Sequence, residues 1–209
     1  MTATWRTTQK ANRRTAYLRV AAALFAERGF SGVSVDELSA AAGVSGPAFY
    51  NHFSGKDEIL VELLVSASER LVSGAEQILK EGGEPEAVLD RLIAFHLDFA
   101  LTEPDVIRIQ DRELAALPPA ANHRVRSLQR TYVEWWSGVL AKLRPEFDAA
   151  EREVRLLGAF GLLNSTPFSA RGMRSASRAA SILSAMALAA ILGEAPRATG
   201  APSIRPTLR

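Results

Sequence analysis

Apolar residues recur every three or four positions along most of the chain, as they do on the buried face of an amphipathic helix. The first such run is a stripe formed by Tyr17, Val20, Ala21, Leu24 and Phe25. Later runs keep this period and are separated by proline or glycine, and no segment shows the strict alternation of a half-buried strand. The pattern predicts an all-α protein of about nine helices.

Local signals place the ends of the first two helices. Gly29 follows the first apolar stripe, and glycine readily takes the left-handed conformation that ends a helix. Ser34 lies three residues before Glu37, and this Ser-x-x-Glu spacing is typical of a capping box at a helix start. A second helix is therefore predicted over residues 35–42.

A third, short helix is predicted over residues 46–52. Gly43 turns the chain, Ser45 can cap the next helix, and Pro47 fits its first turn, where a missing N–H is tolerated. Two short helices joined by a glycine turn form a helix-turn-helix, which places its last helix in the major groove of DNA.

The remainder of the chain divides into longer helices. They are predicted over residues 56–80, 85–101, 104–118, 120–143, 148–165 and 175–192. The sequence thus predicts a small helix-turn-helix domain over residues 1–55 and a larger helical domain over residues 56–193. Residues 194–209 are rich in Pro, Gly, Thr and Arg and are expected to form a disordered tail.

Composition and charge narrow the class of protein. The chain has 209 residues, 47% of them hydrophobic, which is enough for a sizeable buried core. Its formal net charge is only +2, so any binding of DNA depends on local clusters of basic residues. Cysteines and a secretory signal are absent, and the apolar stretch 179–192 is shorter than the roughly 18 residues of a membrane span. We expect a soluble, cytoplasmic protein without a membrane partner.

Residue types for catalysis or metal binding are sparse. His52, His96 and His123 are scattered without metal-ligand spacing, and the chain has neither a glycine-rich phosphate loop nor a nucleophile motif. We therefore expect no enzyme activity, no cofactor and no metal.

Several short motifs, in this order and spacing, resemble the DNA-binding domain of the tetracycline-repressor (TetR) family of bacterial regulators. The motifs are FAERGF at residues 25–30, SVDEL at 34–38, AAGVS at 41–45, FYNHF at 49–53 and KDEIL at 56–60. The resemblance implies an N-terminal helix-turn-helix that binds double-stranded DNA and a larger helical domain for ligand binding and dimerisation. A homodimer of this kind is expected to bind a pseudo-palindromic operator.

The start of the third helix is the predicted base-reading element. Gly46, Pro47 and Ala48 are small enough to let the helix N-terminus approach the groove, where the latter two can contact thymine methyl groups. Ser45 can form a hydrogen bond with a phosphate or a base edge.

The family resemblance implies further DNA contacts. Tyr50 and His52 match the family's phosphate-contacting pair, and Lys56 matches its phosphate-binding lysine at the start of the fourth helix. Asn51 is the best candidate for a hydrogen bond to a base edge or to the DNA backbone. Ser34 is expected to bind a phosphate at the start of the second helix.

The residues before the first apolar stripe are basic. Arg6, Lys10, Arg13 and Arg14 all precede the first acidic residue, Glu27. Two interpretations stay open: a solvated, disordered tail, or an arm that enters the minor groove or binds phosphate, with Arg13 and Arg14 as its contacts.

Candidates for a ligand cavity are Ile107 and several aromatic and polar residues between helices five to eight. Each aromatic one can equally be an ordinary core residue, whereas the polar ones need partners if they are buried. The candidates are Phe95, His96, Phe99, Ile107, Gln110, Asp111, Trp135, Trp136, Phe160 and Asn164.

Residues 106–111, 124–130 and 135–136 resemble the ligand domain of TetR-type regulators of lipid or sterol breakdown that sense acyl-CoA thioesters. This resemblance implies an acyl-CoA or another lipid-like effector. Arg124, Arg126 and Arg130 fit phosphate binding chemically, but they equally fit a solvated helix face.

The last two predicted helices resemble the dimerisation pair of the family. Their small residues permit close helix packing, and their large apolar residues supply area for a four-helix interface. The interface candidates are Leu156, Phe160, Leu163, Ile182, Met186 and Ala189. The alternative is that these residues belong to the core of a single protomer.

These observations predict a ligand-responsive transcription regulator, which we expect to be a repressor released from its operator by a small apolar effector. The alternative is a ligand-binding or protein-interaction module that does not bind an operator.

Overall fold

The computed structural model describes residues 2–169 and 176–193, and all regular elements in these ranges are helices, which confirms the all-α prediction. The described helices are α1 (Thr2–Arg28), α2 (Val35–Ala41), α3 (Gly46–Phe49), α4 (Lys56–Glu81), α5 (Pro85–Thr102), α6 (Pro104–Glu113), α7 (Pro119–Leu143), α8 (Ala149–Leu163), α9 (Thr166–Ser169) and α10 (Ala176–Leu192). A 3₁₀ turn over Leu114–Ala116 follows α6. The predicted tail, residues 194–209, lies outside the described residues.

Helix α1 begins at Thr2, well before the first apolar stripe. Its backbone is helical from Thr2, so the interpretation of the basic residues as a disordered tail is wrong for residues 2–12, whereas contact of this segment with DNA stays a prediction. Neither proline nor glycine occurs between Thr2 and Arg28, and nothing in that stretch therefore interrupts the helix that the apolar stripe anchors.

The short helices follow their local signals. The Ser34 side chain accepts a hydrogen bond from the Glu37 N–H, and the Glu37 carboxylate accepts one from the Ser34 N–H, which completes the predicted capping box. Helix α3 ends at Phe49, earlier than predicted, although the His52 N–H still donates to the Phe49 carbonyl at 2.8 Å.

A first cluster of buried side chains joins the helix-turn-helix to the rest of the chain. It contains Phe25 and Phe49 from α1 and α3, together with Phe99 of α5 and Ile109 of α6. This core crosses the domain boundary predicted at residue 55. The helix-turn-helix therefore rests on α5 and α6 rather than being connected through α4 alone.

A second cluster lies entirely within the larger domain. It is built from α4, α5, α7, α8 and α10 around Trp136, whose side chain is fully buried. Within the described residues, no helix is both long enough and apolar enough to cross a membrane.

Helices α4 and α5 approach each other closely at Gly74. A Cβ atom added there would lie 2.0 Å from Cζ of Phe95, so the phenyl ring occupies the space of the missing side chain. Phe95, which the sequence suggested as a cavity residue, packs at this helix crossing.

Gly74→Ala is expected to destabilise the protein by about 1–3 kcal/mol through overpacking, although alanine favours a helix over glycine by about 1 kcal/mol. Gly138→Ala is the matched control, because a Cβ there meets no atom within 4 Å and only the gain in helix propensity remains. Urea denaturation of both variants measures the difference. Equal stability would show that the Phe95 ring moves aside at no cost.

Candidate DNA-binding surface and ligand cavity

The start of α3 forms an open edge on the molecular surface. Its exposed residues are Ser45, Pro47, Tyr50 and Asn51, and its half-buried ones are Gly46 and Ala48. The Ser45 hydroxyl makes no capping hydrogen bond, and a side chain at Gly46 would meet no atom within 4 Å. The fold itself therefore does not require a small residue at Gly46, and its absent side chain leaves room for a close partner.

An aromatic cluster packs against the buried side of α3. Phe49 is fully buried, and its ring meets the edge of Tyr17 with the centroids 5.8 Å apart. Phe53 packs against both of these rings, and the half-buried imidazole of His52 lies 5.3 Å from the Tyr17 ring. Because these rings are interlocked, the exposed side of α3 is presented in one orientation.

Arg14, a predicted DNA contact, is part of an internal network instead. Its guanidinium donates to Glu58 at 2.7 Å and to Glu62 at 2.9 Å, donates to the His52 carbonyl, and lies 4.1 Å above the Phe53 ring. These contacts brace α1 against the start of α4 and the end of the recognition segment. Arg13 is exposed, and its contact with DNA stays a prediction.

Two carboxylates in this region have altered acidity. Hydrogen bonds from the Ser54 N–H and from Arg14 hold the pKa of Glu58 below its ordinary value. The Ser34 N–H, Arg28 and the Ser34 hydroxyl lower the pKa of Glu37 to about 2. Both groups are therefore anionic at neutral pH, and the ion pairs that they form persist there.

Lys56 and Ser34 also have partners within the chain. The Lys56 ammonium donates to the carbonyls of Phe30 and Val33, each at 3.0 Å, and lies over the Phe30 ring. The Ser34 hydroxyl donates to Glu37 at 2.8 Å. Lys56 thus binds the loop between α1 and α2, and Ser34 caps α2. Contact of either side chain with a DNA phosphate would compete with these internal hydrogen bonds.

Helix α6 connects this loop to the interior of the larger domain. Arg112 donates to the Phe25 carbonyl at 2.7 Å, and the Glu113 carboxylate accepts from the Phe30 N–H at 3.1 Å. One turn earlier, Gln110 faces a cavity between α4, α5, α6, α7 and α8.

This cavity has a volume of about 250 Å³ and is mainly apolar. Its lining residues are Ser68, Leu71, His96, Ile107, Gln110, Leu128, Gln129, Tyr132, Val133, Leu157, Phe160 and Asn164. Five of them were predicted from the sequence: His96, Ile107, Gln110, Phe160 and Asn164. The contributions of α4 and those of Leu128 and Tyr132 on α7 were missed, because helical periodicity does not distinguish a core from a cavity wall.

The other five predicted ligand residues do not line this cavity. Phe95 packs on Gly74, Phe99 belongs to the first core, and Trp136 is completely buried in the second. Trp135 packs against the second core. Asp111 lines a separate surface groove between α1 and α6, where partial burial raises its pKa.

A chain of three polar side chains crosses one wall of the cavity. His96 is buried, with Nδ1 3.1 Å from the Tyr132 hydroxyl and Nε2 3.0 Å from Oδ1 of Asn164. Burial lowers the pKa of His96 to about 4 and raises that of Tyr132. The imidazole is therefore neutral at physiological pH. Since Oδ1 can only accept, Nε2–H is the donor to Asn164, and Nδ1 accepts from the Tyr132 hydroxyl.

The buried imidazole should make stability depend on pH. Its folded-state pKa lies below the ordinary value, so the unfolded chain binds the proton more readily and stability falls as the pH drops from about 6.5 towards 4. We expect His96→Gln to remove about 3 kcal/mol from the difference in unfolding free energy between pH 7 and pH 4. Urea denaturation at several pH values tests this. Parallel pH profiles for the two proteins would rule His96 out as the cause.

A second, open groove of about 410 Å³ adjoins the cavity and shares Gln129, Val133 and Leu157 with it. Arg126 and Arg130 of α7 line this groove. Its remaining lining residues are Glu134, Ser137, Ala149 and Glu153.

An exposed apolar surface lies on α8 and α10. The large side chains on it are Val154, Leu157, Ile182 and Met186, which are 71%, 52%, 46% and 47% exposed, respectively. We call these four residues the α8/α10 face; Ala189 is also exposed beside it.

Three predicted interface residues do not lie on this face. Leu156 and Leu163 are completely buried within the protomer, and Phe160 lines the cavity. Leu156 and Leu163 are therefore not accessible to a partner chain, because a neighbouring position along α8 turns outwards. The α10 candidates Ile182, Met186 and Ala189 are exposed, and their place in a dimer interface stays a prediction.

No group of three or more potential metal ligands occurs among residues 2–169 and 176–193. A helix-turn-helix with an open α3 edge, joined to a larger helical domain, is the architecture of a DNA-binding transcription regulator. Residues 18–63 match the family described as bacterial regulatory proteins of the tetR family, and residues 82–191 match the tetracyclin repressor-like C-terminal domain. The chain therefore belongs to the TetR family, as the sequence motifs suggested.

Individual relatives agree with this assignment. The transcriptional repressor KstR2 of Rhodococcus jostii is 31% identical over 137 residues, which cover 64% of this chain and 66% of the relative. The matched region thus spans slightly less than two thirds of that protein. The family and the relatives that the chain matches are transcription regulators and not enzymes.

Two solved structures show the same fold. The ketosteroid transcriptional regulator KstR2 of Mycobacterium tuberculosis superimposes with a TM-score of 0.70 at 23% identity, over 84% of this chain and 93% of that one. AibR, solved in complex with isovaleryl coenzyme A and operator DNA, has a TM-score of 0.69 at 18% identity, over 83% and 97% of the two chains.

Proposed function

We propose that this protein is a homodimeric transcription repressor that binds a pseudo-palindromic DNA operator and leaves it when a small, mainly apolar effector occupies the cavity. In this proposal residues 1–55 read the DNA, whereas residues 56–193 bind the effector and dimerise. The observation that carries it is the combination, in one chain, of an open α3 edge packed on an aromatic cluster and a cavity that α6 connects to the end of α1 and the loop after it.

The α3 edge supports the DNA-binding half of the proposal. Ala48 and the exposed ring of Pro47 offer small apolar contacts to base edges, and Tyr50 and Asn51 extend outwards on the same segment. Neutral side chains dominate this edge, so phosphate binding by Tyr50, Asn51 and backbone N–H groups would position the helix. Arg14 would act indirectly by bracing the segment.

The effector is proposed to be an acyl-CoA or another lipid-like compound. The cavity is smaller than the roughly 300–1,000 Å³ of typical sites for drug-sized ligands, so only the acyl part of a thioester would fit inside. The adjoining groove offers Arg126 and Arg130 for an anionic remainder. The AibR complex supports this choice, since a protein of this fold holds isovaleryl coenzyme A.

Helix α6 is the proposed route of induction. Ile107 and Gln110 line the cavity, while Arg112 and Glu113 hold the α1 end and the following loop. An effector that displaces α6 would therefore move the helix-turn-helix and change the distance between the two α3 helices of a dimer. DNA must then weaken effector binding by the same factor by which effector weakens DNA binding.

Fluorescence anisotropy of a labelled duplex from the region upstream of the gene tests operator binding. Specific binding should exceed that of a scrambled duplex by about 1,000-fold or more, and both affinities should fall with added salt. Equal affinity for the two duplexes would instead favour a ligand-binding or protein-interaction module without an operator.

A further inference from the structure

We propose that the effector cavity accepts an uncharged part of the ligand, and that a carbonyl oxygen in this part accepts a hydrogen bond from the side-chain amide of Asn164. The inference deepens the proposed effector function and rests on it, since it names the chemical group that the cavity recognises. It follows from the charge of the cavity wall and from the direction of the hydrogen bonds in that wall.

The wall carries no charge. None of its twelve residues is Asp, Glu, Lys or Arg, and its single histidine, His96, is neutral. An ionised carboxylate or ammonium group inside the cavity would lose its hydration without gaining a counter-charge, which is strongly unfavourable. The arginines lie outside, in the adjoining groove.

The hydrogen-bonded side chains of Tyr132, His96 and Asn164 leave the amide group of Asn164 available as a donor. Oδ1 of Asn164 accepts from His96, and the lone pair of His96 Nδ1 accepts from the Tyr132 hydroxyl. The Asn164 Nδ2 group makes no hydrogen bond within the described part of the chain, and Asn164 lines the cavity. This amide group can donate to an acceptor on a ligand in the mainly apolar cavity, and a carbonyl oxygen supplies that acceptor without bringing a charge.

The packing around His96 also prevents these polar side chains from rearranging to suit other ligands. His96 is packed between the rings of Tyr132, Trp136 and Phe160, with centroid distances between 5.2 and 6.2 Å. The imidazole cannot turn to offer Nε2–H to a ligand without losing the Asn164 bond. The Asn164 amide is therefore held in one orientation before a ligand binds. This preorganisation favours a ligand that has an acceptor at the matching position.

Size limits the body of the ligand. At the roughly 30 Å³ that a water molecule occupies in the liquid, about 250 Å³ holds about eight waters. A seven-carbon chain is a suitable probe. We therefore choose 2-heptanone, with heptanoate and heptylamine as analogues of the same chain length that carry opposite charges at pH 8.

Isothermal titration calorimetry of the full-length protein at pH 8 tests the selectivity. We expect 2-heptanone to bind at least about 100-fold more tightly than heptanoate or heptylamine, because only the ketone enters without an unpaired charge. Tighter binding of either charged analogue, or no binding of the ketone, would overturn the inference.

Asn164→Asp tests the donor specifically, because aspartate keeps an oxygen towards His96 but lacks the amide N–H groups. It should weaken ketone binding by about 10-fold or more. Gln129→Glu is the control: it also adds a carboxylate to the cavity wall but leaves Asn164 intact, so it should retain more ketone affinity. Equal losses in both variants would attribute the effect to charge and contradict a specific Asn164 contact.

An operator-release assay separates this inference from the proposed function. Ketone binding without any change in operator affinity would contradict induction through the cavity but leave carbonyl recognition in place. Release by heptanoate and not by 2-heptanone would support induction and overturn carbonyl recognition.

Discussion

Replacing Ala48 with glutamate is expected to reduce operator affinity by about 1,000-fold or more, because the carboxylate would meet the base edges and phosphates at the closest point of approach. Ala48 is half-buried on α3, while the aromatic support behind it involves Phe49 and Tyr17. The fold should therefore tolerate the change. Anisotropy titrations with the operator duplex measure the loss.

Ala94→Glu is the matched control for this variant. Ala94 is exposed on α5, so the same charge is added away from the helix-turn-helix. Both variants should keep the wild-type melting temperature within a few degrees. Undiminished operator binding by Ala48→Glu would show that α3 does not read the DNA.

The second large loss of operator affinity is expected when charges are placed on the α8/α10 face. Val154→Glu combined with Met186→Glu places four like charges in a symmetric interface, where they would be desolvated and repel one another. We expect the double variant to be monomeric and to bind the operator about 100- to 10,000-fold more weakly, since the avidity of two linked half-site contacts is lost.

Sedimentation velocity and anisotropy together check this prediction. Val154 and Met186 are 71% and 47% exposed in the protomer, so the fold of a single chain should be preserved. Affinity for an isolated half-site should stay close to that of the wild type. A double variant that still sediments as a dimer would place the interface elsewhere.

Helix ends were predicted well where they depend on nearby residues. The capping box of Ser34 and Glu37 and the turn at Gly43 are local features, and each lies where the sequence placed it. The interpretation of the basic residues as a disordered tail was wrong because it rested on composition, although residues 2–12 contain no helix breaker.

The roles of individual charged residues were harder to predict. Arg14 and Lys56 are of residue types that commonly contact DNA. Their partners within the chain, Glu62 and Phe30, lie 48 and 26 residues away in the sequence. Spacing along a helix does not reveal such partners. The cavity shows the same difficulty, because Ile107 on α6 and Asn164 at the end of α8 meet only after the helices pack.

The sequence by itself determined the helical class, the helix-turn-helix and the family, because periodicity, caps and short motifs depend on residues close together in the chain. Only the tertiary structure decided which side of each apolar helix meets the core, the cavity or the solvent. Leu156 is completely buried, whereas the next residue, Leu157, is 52% exposed and also lines the cavity mouth. One residue turns the side chain by about 100° around the helix axis, and the packing of the neighbouring helices assigns each direction its surroundings.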